Sequence, residues 1–572
     1  MSMRQQAIGR CVDWLRDAYP DRGFLIHDGV ENRSKAKNSI GLFATRDLAK
    51  DEILIVVPKG CSFASSHPTL EGSGKLGVLL RETHALLTNR RELFGLPEHA
   101  EQFSDEDVKL QLLLMVVLYS CSEEGSAAEL KYLATYWRPY FDTLPSSIAE
   151  SPLYWSADEL DSLKGTVAGE RVAYIKQEAE ALFAHVIAAI PSTPFLPDSR
   201  DKRKRLHSHA MALLLSRAHD EGSLRIDSDD CASLTPLIDL VNGGPEGSAA
   251  INVGFHKGYW PFVKGRIFHN ECNLPCSALS AQRQIKAGTE LIVDYGAVSA
   301  SGFLMKYGVV PDANPCGETF VLPPPQLLPP DTDTLRWAAL QSNGYSREML
   351  TPLEEGNTLS SPFFLRQCDV QAYRESVGGP MSAGETQNLS QLRQLAVMLV
   401  AGEDVLRSIV EHGRMRGDIN IEQVGQVMKG MVDFKLGQLR TVSSSVDLAK
   451  ASSAGISNNL RTGILARVAE RELLAQWRHA FCRKFGLRSH ADQQSAQAAG
   501  LLQWEAHMRA AMGSAYEPLP GMGERCCANC ARVTGLKRCT RCKVVSYCGV
   551  SCQRTHWRAG HKALCKSNPA KK

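Results

Sequence analysis

The chain has no apolar run long enough to cross a bilayer. Its longest, Leu110 to Leu118, is interrupted by Gln111 and falls well short of the roughly 20 residues a spanning helix needs. A buried helix is expected there, and no membrane association. Charge of one sign is also scarce: 65 Lys and Arg stand against 62 Asp and Glu in 572 residues, a net charge of +3. That excludes a chain working as a whole by attraction to nucleic acid or anionic lipid. No segment repeats at a fixed period. The first residues lack a secretory pattern, because Asp13, Arg16 and Asp17 interrupt any apolar stretch; they are acidic and not Ser-rich, so no transit peptide is expected either. Nine cysteines are scattered singly apart from Cys272 and Cys276. Such scatter in a large chain points to reduced thiols and a cytoplasmic or nuclear compartment, not to a disulfide scaffold.

The other eight cysteines are crowded into the last fifty residues. There the order is Cys527-x2-Cys530, Cys539-x2-Cys542, Cys548-x3-Cys552 and His561-x3-Cys565. Two intervening residues let both sulfurs of a tight turn reach one ion, and three put two ligands on one side of a helical turn. Zinc takes four tetrahedral N or S ligands, so eight ligands complete two sites. The segment holds too few apolar residues for a core, so the metal must supply its folding energy. Cys526 competes with Cys527 and His556 with His561; the x2 spacing favours Cys527, and the neighbouring Trp557 disfavours His556.

Residues 5–18 have helical apolar spacing. From Ile40 to Val57 the texture is β, ended by Pro58-Lys59-Gly60. Residues 105–230 read as mostly helical, with Leu110, Leu113, Leu114, Val117 and Leu118 at i, i+3, i+4 spacing and Tyr174 to Ile190 repeating it. Residues 234–310 return to short β runs. Pro323 to Pro330 reads as an extended proline-rich joint. Residues 335–509 are helical again, with loops near 376–386 and 441–458. The fold class is α+β: a β-rich domain of residues 1–64 and 231–320, split by a helical insert at 65–230. A linker at 321–334, a helical domain at 335–510 and a small finger at 524–568 follow.

Four separated segments then carry a resemblance. They are Ile40-Gly41-Leu42-Phe43-Ala44-Thr45-Arg46-Asp47-Leu48; Tyr136-Trp137-Arg138-Pro139-Tyr140-Phe141-Asp142-Thr143-Leu144-Pro145, with Leu163-Lys164-Gly165-Thr166 further on; Pro236-Leu237-Ile238-Asp239-Leu240-Val241-Asn242; and Ile285-Lys286-Ala287-Gly288-Thr289-Glu290-Leu291, then Asp294-Tyr295-Gly296 and Lys306-Tyr307-Gly308. In this order, over roughly residues 5–510, the chain resembles a SET-domain methyltransferase of the Rubisco-large-subunit-methyltransferase-like class. The resemblance implies S-adenosyl-L-methionine as cofactor, a split SET fold and a helical substrate-binding domain.

The implied chemistry suits these residue types. A methyl group passes from a sulfonium to an amine in line, so the two reactants must be held face to face; such orientation supplies up to roughly 7–11 kcal/mol. The amine must also be neutral. A free lysine, with a pKa of about 10.4, costs on the order of 4–5 kcal/mol to deprotonate at pH 7, which a desolvated aromatic channel lowers. By resemblance Tyr295 is the catalytic tyrosine and Tyr307 the second, lining the substrate channel; the alternative for each is strand or helix packing. Asn242 resembles the asparagine that binds the cofactor's amino-acid end. The usual next residue is His, and Gly243 stands there. Asn38, Ser39 and Ile40 match the cofactor loop, although a small-residue turn reads the same way. Ser216 and Arg217 match a Ser-Arg pair lining the active site, Asp239 a substrate-side carboxylate, and His219 a position bearing on substrate type; their alternatives are a surface cation, a turn cap and a helix-end histidine.

The last segment resembles a MYND finger, with Tyr547-Cys548, Cys552-Gln553 and His561-Lys562 in place. Family topology assigns Cys527, Cys530, Cys548 and Cys552 to one Zn2+, and Cys539, Cys542, His561 and Cys565 to the other. Such fingers bind proline-rich peptides, and Pro325-Gln326-Leu327-Leu328-Pro329 in the joint is one, so the finger's partner is an outside peptide or its own linker. Lys202-Arg203-Lys204-Arg205 reads as a nuclear localisation run or a solvated loop, and His269, Cys272 and Cys276 as a third metal site lacking a fourth ligand. The finger is basic but has few interleaved aromatics, so nucleic acid is not expected as a partner. The leading expectation is a protein-lysine N-methyltransferase acting on a non-histone protein. The alternatives are a histidine acceptor, or a scaffold with a degenerate SET domain.

Overall fold

The apolar stretch between Ile40 and Val57 forms two strands, separated by a turn in which Asp51 takes a positive φ of 64°. The computed structural model that shows this describes residues 3–18, 24–34, 40–65, 67, 74–87, 105–122, 124–125, 130–218, 232–244, 250–256, 276–294, 299–310, 317–328, 332–350, 363–366, 369–370, 373, 386–439, 447, 450–453, 455–485, 487, 537–538, 546–547, 550 and 553–554. These fall into two compact units. The first comprises Met1–Trp155, Val172–Val298 and Gly302–Pro311; the second comprises Ser156–Arg171, Ser299–Ser301 and Asp312–Lys572.

Among its described residues the first unit holds ten strands: β1 (Leu25–Ile26), β2 (Val30–Ser34), β3 (Ile40–Ala44), β4 (Ile53–Pro58), β5 (Phe63–Ala64), β6 (Ser233–Leu234), β7 (Asn242–Gly244), β8 (Ile251–His256), β9 (Cys276–Ala281) and β10 (Ile292–Asp294). Six form one sheet in the order β1-β4-β9-β8-β10-β7, while β2 pairs with β3 and β5 with β6. β10 runs parallel to β7 with Ile292 opposite Asn242 and Asp294 opposite Gly244. β3 is tied to the segment before β10 by backbone bonds: Ala44 N donates to Thr289 O (2.9 Å) and Leu291 N to Leu42 O (2.8 Å). Asp47 closes the same junction, accepting from Lys286 Nζ (2.6 Å) and Ala287 N (3.0 Å). The first and fourth motif segments are therefore neighbours.

Between the strand groups lie helices. The helix Asp105–Cys121 begins with a charged, partly exposed turn, but from Leu110 to Val117 it is covered on all faces, with Leu110, Leu112, Leu113, Leu114, Met115, Val116 and Val117 fully buried. A helix of that kind belongs inside a large core, where each such side chain contributes roughly 1.5–3 kcal/mol. Gln111, the polar break in that run, is buried against His207: its Nε2 lies 2.9 Å from His207 Nδ1, and His207 Nε2 lies 2.9 Å from Ala179 O. With Nε2–H given to a carbonyl and Nδ1 accepting, the ring is neutral, and burial lowers its pKa to about 4. The helix Lys131–Phe141 supplies an aromatic cluster in which Trp137 packs edge-on against Phe63 and lies near Trp14.

Lys202-Arg203-Lys204-Arg205 is not a loop: Lys202, Lys204 and Arg205 stand exposed on a helix. It lies in the helix Arg200–Arg217, and Arg203 is buried, donating to the carbonyls of Pro197, Ile187 and Ile190. Cys276 is buried in β9, while His269 and Cys272 lie outside the described residues. Among the described residues no cluster of His, Cys, Asp or Glu can hold a metal ion, and no helix is long and apolar enough to cross a membrane.

The second unit is helical around Trp337, Tyr373, Leu395, Met431, Trp477 and Phe481, and beside these helices β11 (Glu318–Phe320) pairs antiparallel with β12 (Phe364–Arg366). Its longest helix is Asn458–Lys484. Ser156–Arg171, expected within the helical insert, groups with this unit. Arg467 Nη1 donates to Ser162 O (2.7 Å), Val167 N to Glu470 Oε2 (2.8 Å), and Lys435 pairs with Glu170 (2.6 Å). The proline joint corrects another expectation. Pro325–Leu327 forms a 3-10 turn, and Leu327 and Leu328 pack against the helical core. The leucine that a Pro-x-Leu-x-Pro reader must grasp thus leans on the helical core, and Pro325–Leu327 is not extended. In the finger, β13 (Lys537–Arg538) pairs antiparallel with β14 (Ser546–Tyr547).

Candidate methyl-transfer site

Two clusters form around the third motif. Leu237 begins it with a φ of 66° and ψ of −36°. A buried Leu seldom adopts that conformation, which costs of order 1–3 kcal/mol and persists only where packing enforces it. It launches a 3-10 turn, Ile238–Leu240, closed by Asp239 N donating to Thr235 O at 3.1 Å. The turn points the Asp239 side chain inward, where it is fully buried. Tyr140 donates to its Oδ2 (3.1 Å); Arg217 Nη1 donates to its backbone oxygen (2.8 Å) and lies 3.5 Å from Oδ2. Burial pushes the Asp239 carboxyl upward in pKa, opposed by Arg217, Tyr140 and Arg4. Burial and the neighbouring Arg217 bring Arg4 down to about 10. Tyr140 is raised by burial and by Asp239. Asp239 Oδ1 and Arg217 Nε are buried without a hydrogen-bond partner.

The second cluster lies at the end of the same motif. Asn242 Nδ2 donates to Glu290 Oε1 at 2.6 Å and, more weakly, to Ile40 O at 3.4 Å. Gly41 makes this approach possible: a Cβ there would stand 2.5 Å from Glu290 Oε1 and 3.1 Å from Asn242 Nδ2. Ile40, Asn242 and Gly243 are thus gathered by β3 and β7, with Asp294, the residue before Tyr295, on the adjoining β10. A strand glycine without Cβ, a fixed amide and the end of β7 thus come together in one cradle.

Ser216 and Arg217 end the helix Arg200–Arg217. Ser216 Oγ donates back to Ala212 O at 2.7 Å, so its hydroxyl serves its own helix. Tyr307 ends the helix Ala300–Tyr307, half-buried, with its ring 5.7 Å from Phe303. Gly308 fixes that end with a φ of +69°, where a Cβ would lie 1.9 Å from Glu150 O. Asn38, Ser39, His219 and Tyr295 lie outside the described residues, as do the eight finger ligands Cys527, Cys530, Cys539, Cys542, Cys548, Cys552, His561 and Cys565. Two residues that hold these clusters together, Tyr140 and Glu290, stand inside the motif segments but had no expected role. Their signal was a single polar group in an apolar stretch: Glu290 before Leu291-Ile292-Val293, and Tyr140 in an aromatic helix.

This is the fold of solved SET-domain structures. The chain is similar to the crystal structure of the SET domain of LSMT bound to lysine and AdoHcy (TM-score 0.54, 15% identity, 83% of this chain and 91% of that one), and to the structure of Rubisco LSMT bound to AdoMet (TM-score 0.53, 16% identity, 84% and 92%). In sequence it is 25% identical over 314 residues to the chloroplastic [fructose-bisphosphate aldolase]-lysine N-methyltransferase of Arabidopsis thaliana, covering 54% of this chain and 53% of that protein. The chain thus spans about half the length of that relative. Residues 527–565 match the MYND finger family. Over 40 residues the chain is 48% identical to ubiquitin carboxyl-terminal hydrolase 19 of Arabidopsis thaliana, 7% of this chain and 6% of that one. The chain joins a SET fold to a MYND finger, a zinc-binding family.

Proposed function

We propose that the chain is an S-adenosyl-L-methionine-dependent protein-lysine N-methyltransferase acting on a non-histone protein, with the finger recruiting a proline-rich partner. The observation that carries this reading is the convergence of Ile40, Gly41 and Asn242 beside the strand that leads into Tyr295. The residues fit the cofactor: Asn242 offers an amide to the amino-acid end, held by Glu290 through the space that Gly41 leaves without a Cβ. When bound, the cofactor supplies an electrophilic methyl on sulfur. Tyr295 and Tyr307 would wall the channel through which a neutral amine approaches, and such walls tolerate the cation that forms on nitrogen. Arg217 and Asp239 act in this reading by holding the turn that carries Asn242, since the Asp239 carboxylate is fully buried. The relative named as a lysine N-methyltransferase and the lysine-bound SET structures support lysine as acceptor. Zinc in the finger folds a recruitment module, and the compartment proposed is cytoplasmic or nuclear.

The test is calorimetric titration with S-adenosylmethionine, followed by transfer of labelled methyl groups to cell lysate by wild type and Tyr295→Phe. Binding with labelled lysine that Tyr295→Phe abolishes is the expected result. Absence of cofactor binding overturns the enzyme reading; labelled histidine overturns the lysine acceptor.

A further inference from the structure

We propose that Glu290 is a positioning residue that sets which end of the Asn242 amide faces the cofactor, and so makes this site a reader of the ligand's ammonium group. The inference rests on the methyltransferase reading above and deepens it.

An asparagine amide is ambiguous: it can present either a carbonyl oxygen or an NH2 to a ligand, and its neighbours decide which. Here both neighbours accept. Glu290 Oε1 stands 2.6 Å from Nδ2 and the Ile40 carbonyl oxygen 3.4 Å from it. A flipped amide would set Oδ1 against a carboxylate oxygen and a carbonyl oxygen, with no hydrogen between them. The nitrogen is therefore committed to Glu290 and Ile40, and Oδ1 is the atom turned to the cradle. An oxygen there selects a donor. At the amino-acid end of an S-adenosyl ligand the donor is the ammonium, not the carboxylate.

The backbone holds this arrangement from both sides. Phe43 in β3 is bridged to Glu290, and Leu291 N donates to Leu42 O (2.8 Å), which fixes where the Glu290 side chain starts. The missing Cβ at Gly41 leaves the space through which the carboxylate reaches Asn242 past β3, since an added carbon there falls 2.5 Å from Oε1. Asn242 is anchored by the parallel register with Ile292, two residues beyond Glu290. A glutamate so placed acts on the ligand through the amide.

Two ligands separate this role from a merely structural one. S-adenosylhomocysteine carries the amino-acid end; 5′-methylthioadenosine has the nucleoside and the sulfur but no amino-acid end. Glu290→Gln keeps the shape and adds an NH2, so the Asn242 amide is free to flip. The full-length Glu290→Gln protein is expected to bind S-adenosylhomocysteine at least about ten-fold more weakly than wild type, as befits loss of a well-placed charge-assisted contact. Its affinity for 5′-methylthioadenosine and its unfolding temperature stay unchanged. In an Asn242→Ala background the same change has less than about a two-fold effect, because residues acting as one unit are not additive. If Glu290→Gln weakens both ligands alike, weakens neither, or retains its full effect beside Asn242→Ala, the positioning role is overturned. Wild type that binds S-adenosylhomocysteine no better than 5′-methylthioadenosine overturns it too, while leaving the methyltransferase reading standing. Wild type that binds neither overturns both.

Discussion

Tyr140 and Asp239 stand 99 positions apart in the chain and meet by a 3.1 Å hydrogen bond inside the core of the first unit. One comes from the aromatic helix of the second motif, the other from the turn of the third. Tyr140→Phe keeps the ring and removes the donor, leaving Asp239 Oδ2 with Arg217 alone. A loss of about 1–3 kcal/mol in unfolding free energy is expected. Asp239→Ala should cost more, about 3–5 kcal/mol, because it strands Arg217 against a buried backbone without its counter-charge. Chemical denaturation of both variants checks the order. An Asp239→Ala protein as stable as wild type would show that the pair holds nothing.

Gly41→Ala tests the approach on which the cradle depends. The new methyl would lie 2.5 Å from Glu290 Oε1 and 3.1 Å from Asn242 Nδ2, both ends of side chains able to swing aside. The fold should therefore tolerate it, with the unfolding free energy changed by about 1 kcal/mol or less. Affinity for S-adenosylhomocysteine should fall by at least about ten-fold, since the Asn242 amide loses its acceptor. Comparing a titration with a thermal melt separates the two. A large drop in melting temperature with binding intact would refute the proposed division.

Much of this was legible because the motifs are paired in space, not merely ordered in sequence. Asp47 in the first motif and Ala287 in the fourth share a hydrogen bond, and a glycine-bounded β run is a sign that sequence carries openly. The buried helix at Leu110 was equally plain, because a helix covered on all faces has no polar stripe. Three things were not legible. Arg203 looks as solvated as its exposed neighbours Lys202, Lys204 and Arg205 until the 187–197 chain wraps it with carbonyls. The proline joint looks extended until the helical core takes up Leu327. The grouping of Ser156–Arg171 with the second unit depends on Arg467 and Glu470, some three hundred residues away. For Leu327 and for Ser156–Arg171 a distant partner decides, and for Arg203 a chain turn 6 to 16 residues earlier, whose open carbonyls the local pattern does not reveal.

Glu470 makes the second unit sensitive to pH near neutrality. Its carboxylate is buried, accepts from Thr319 Oγ1 (2.7 Å) and Val167 N (2.8 Å), and faces Lys435, which is itself paired with Glu170. Burial outweighs these partners and raises its pKa from 4.5 to about 7. A carboxyl raised in the folded state contributes stability that is full below its unfolded value and lost as pH rises through the folded one. The wild type should therefore lose stability between about pH 4.5 and 7 relative to Glu470→Gln, by up to roughly 3 kcal/mol for a shift of that size. The glutamine can still accept from Val167 N while giving its NH2 to the Thr319 hydroxyl. Melting temperatures of both proteins across that range check the sign; parallel curves would remove Glu470 as the cause.

Removing zinc should divide the protein. The finger has too little apolar surface to fold alone, so its metal-binding free energy is its folding free energy. The SET fold of the first unit rests on a different source, the large apolar core that includes Leu113, Trp137, Leu213 and Leu279. Metal analysis of the purified chain should give about two zinc ions per molecule, as two tetrahedral sites require. A strong chelator should strip them, expose the residue 527–565 segment to protease and abolish capture of a proline-rich peptide. Binding of S-adenosylhomocysteine should persist within about two-fold, because sites without shared partners behave independently. If chelation also eliminates cofactor binding, the finger is not a separate recruitment module but part of what holds the cradle.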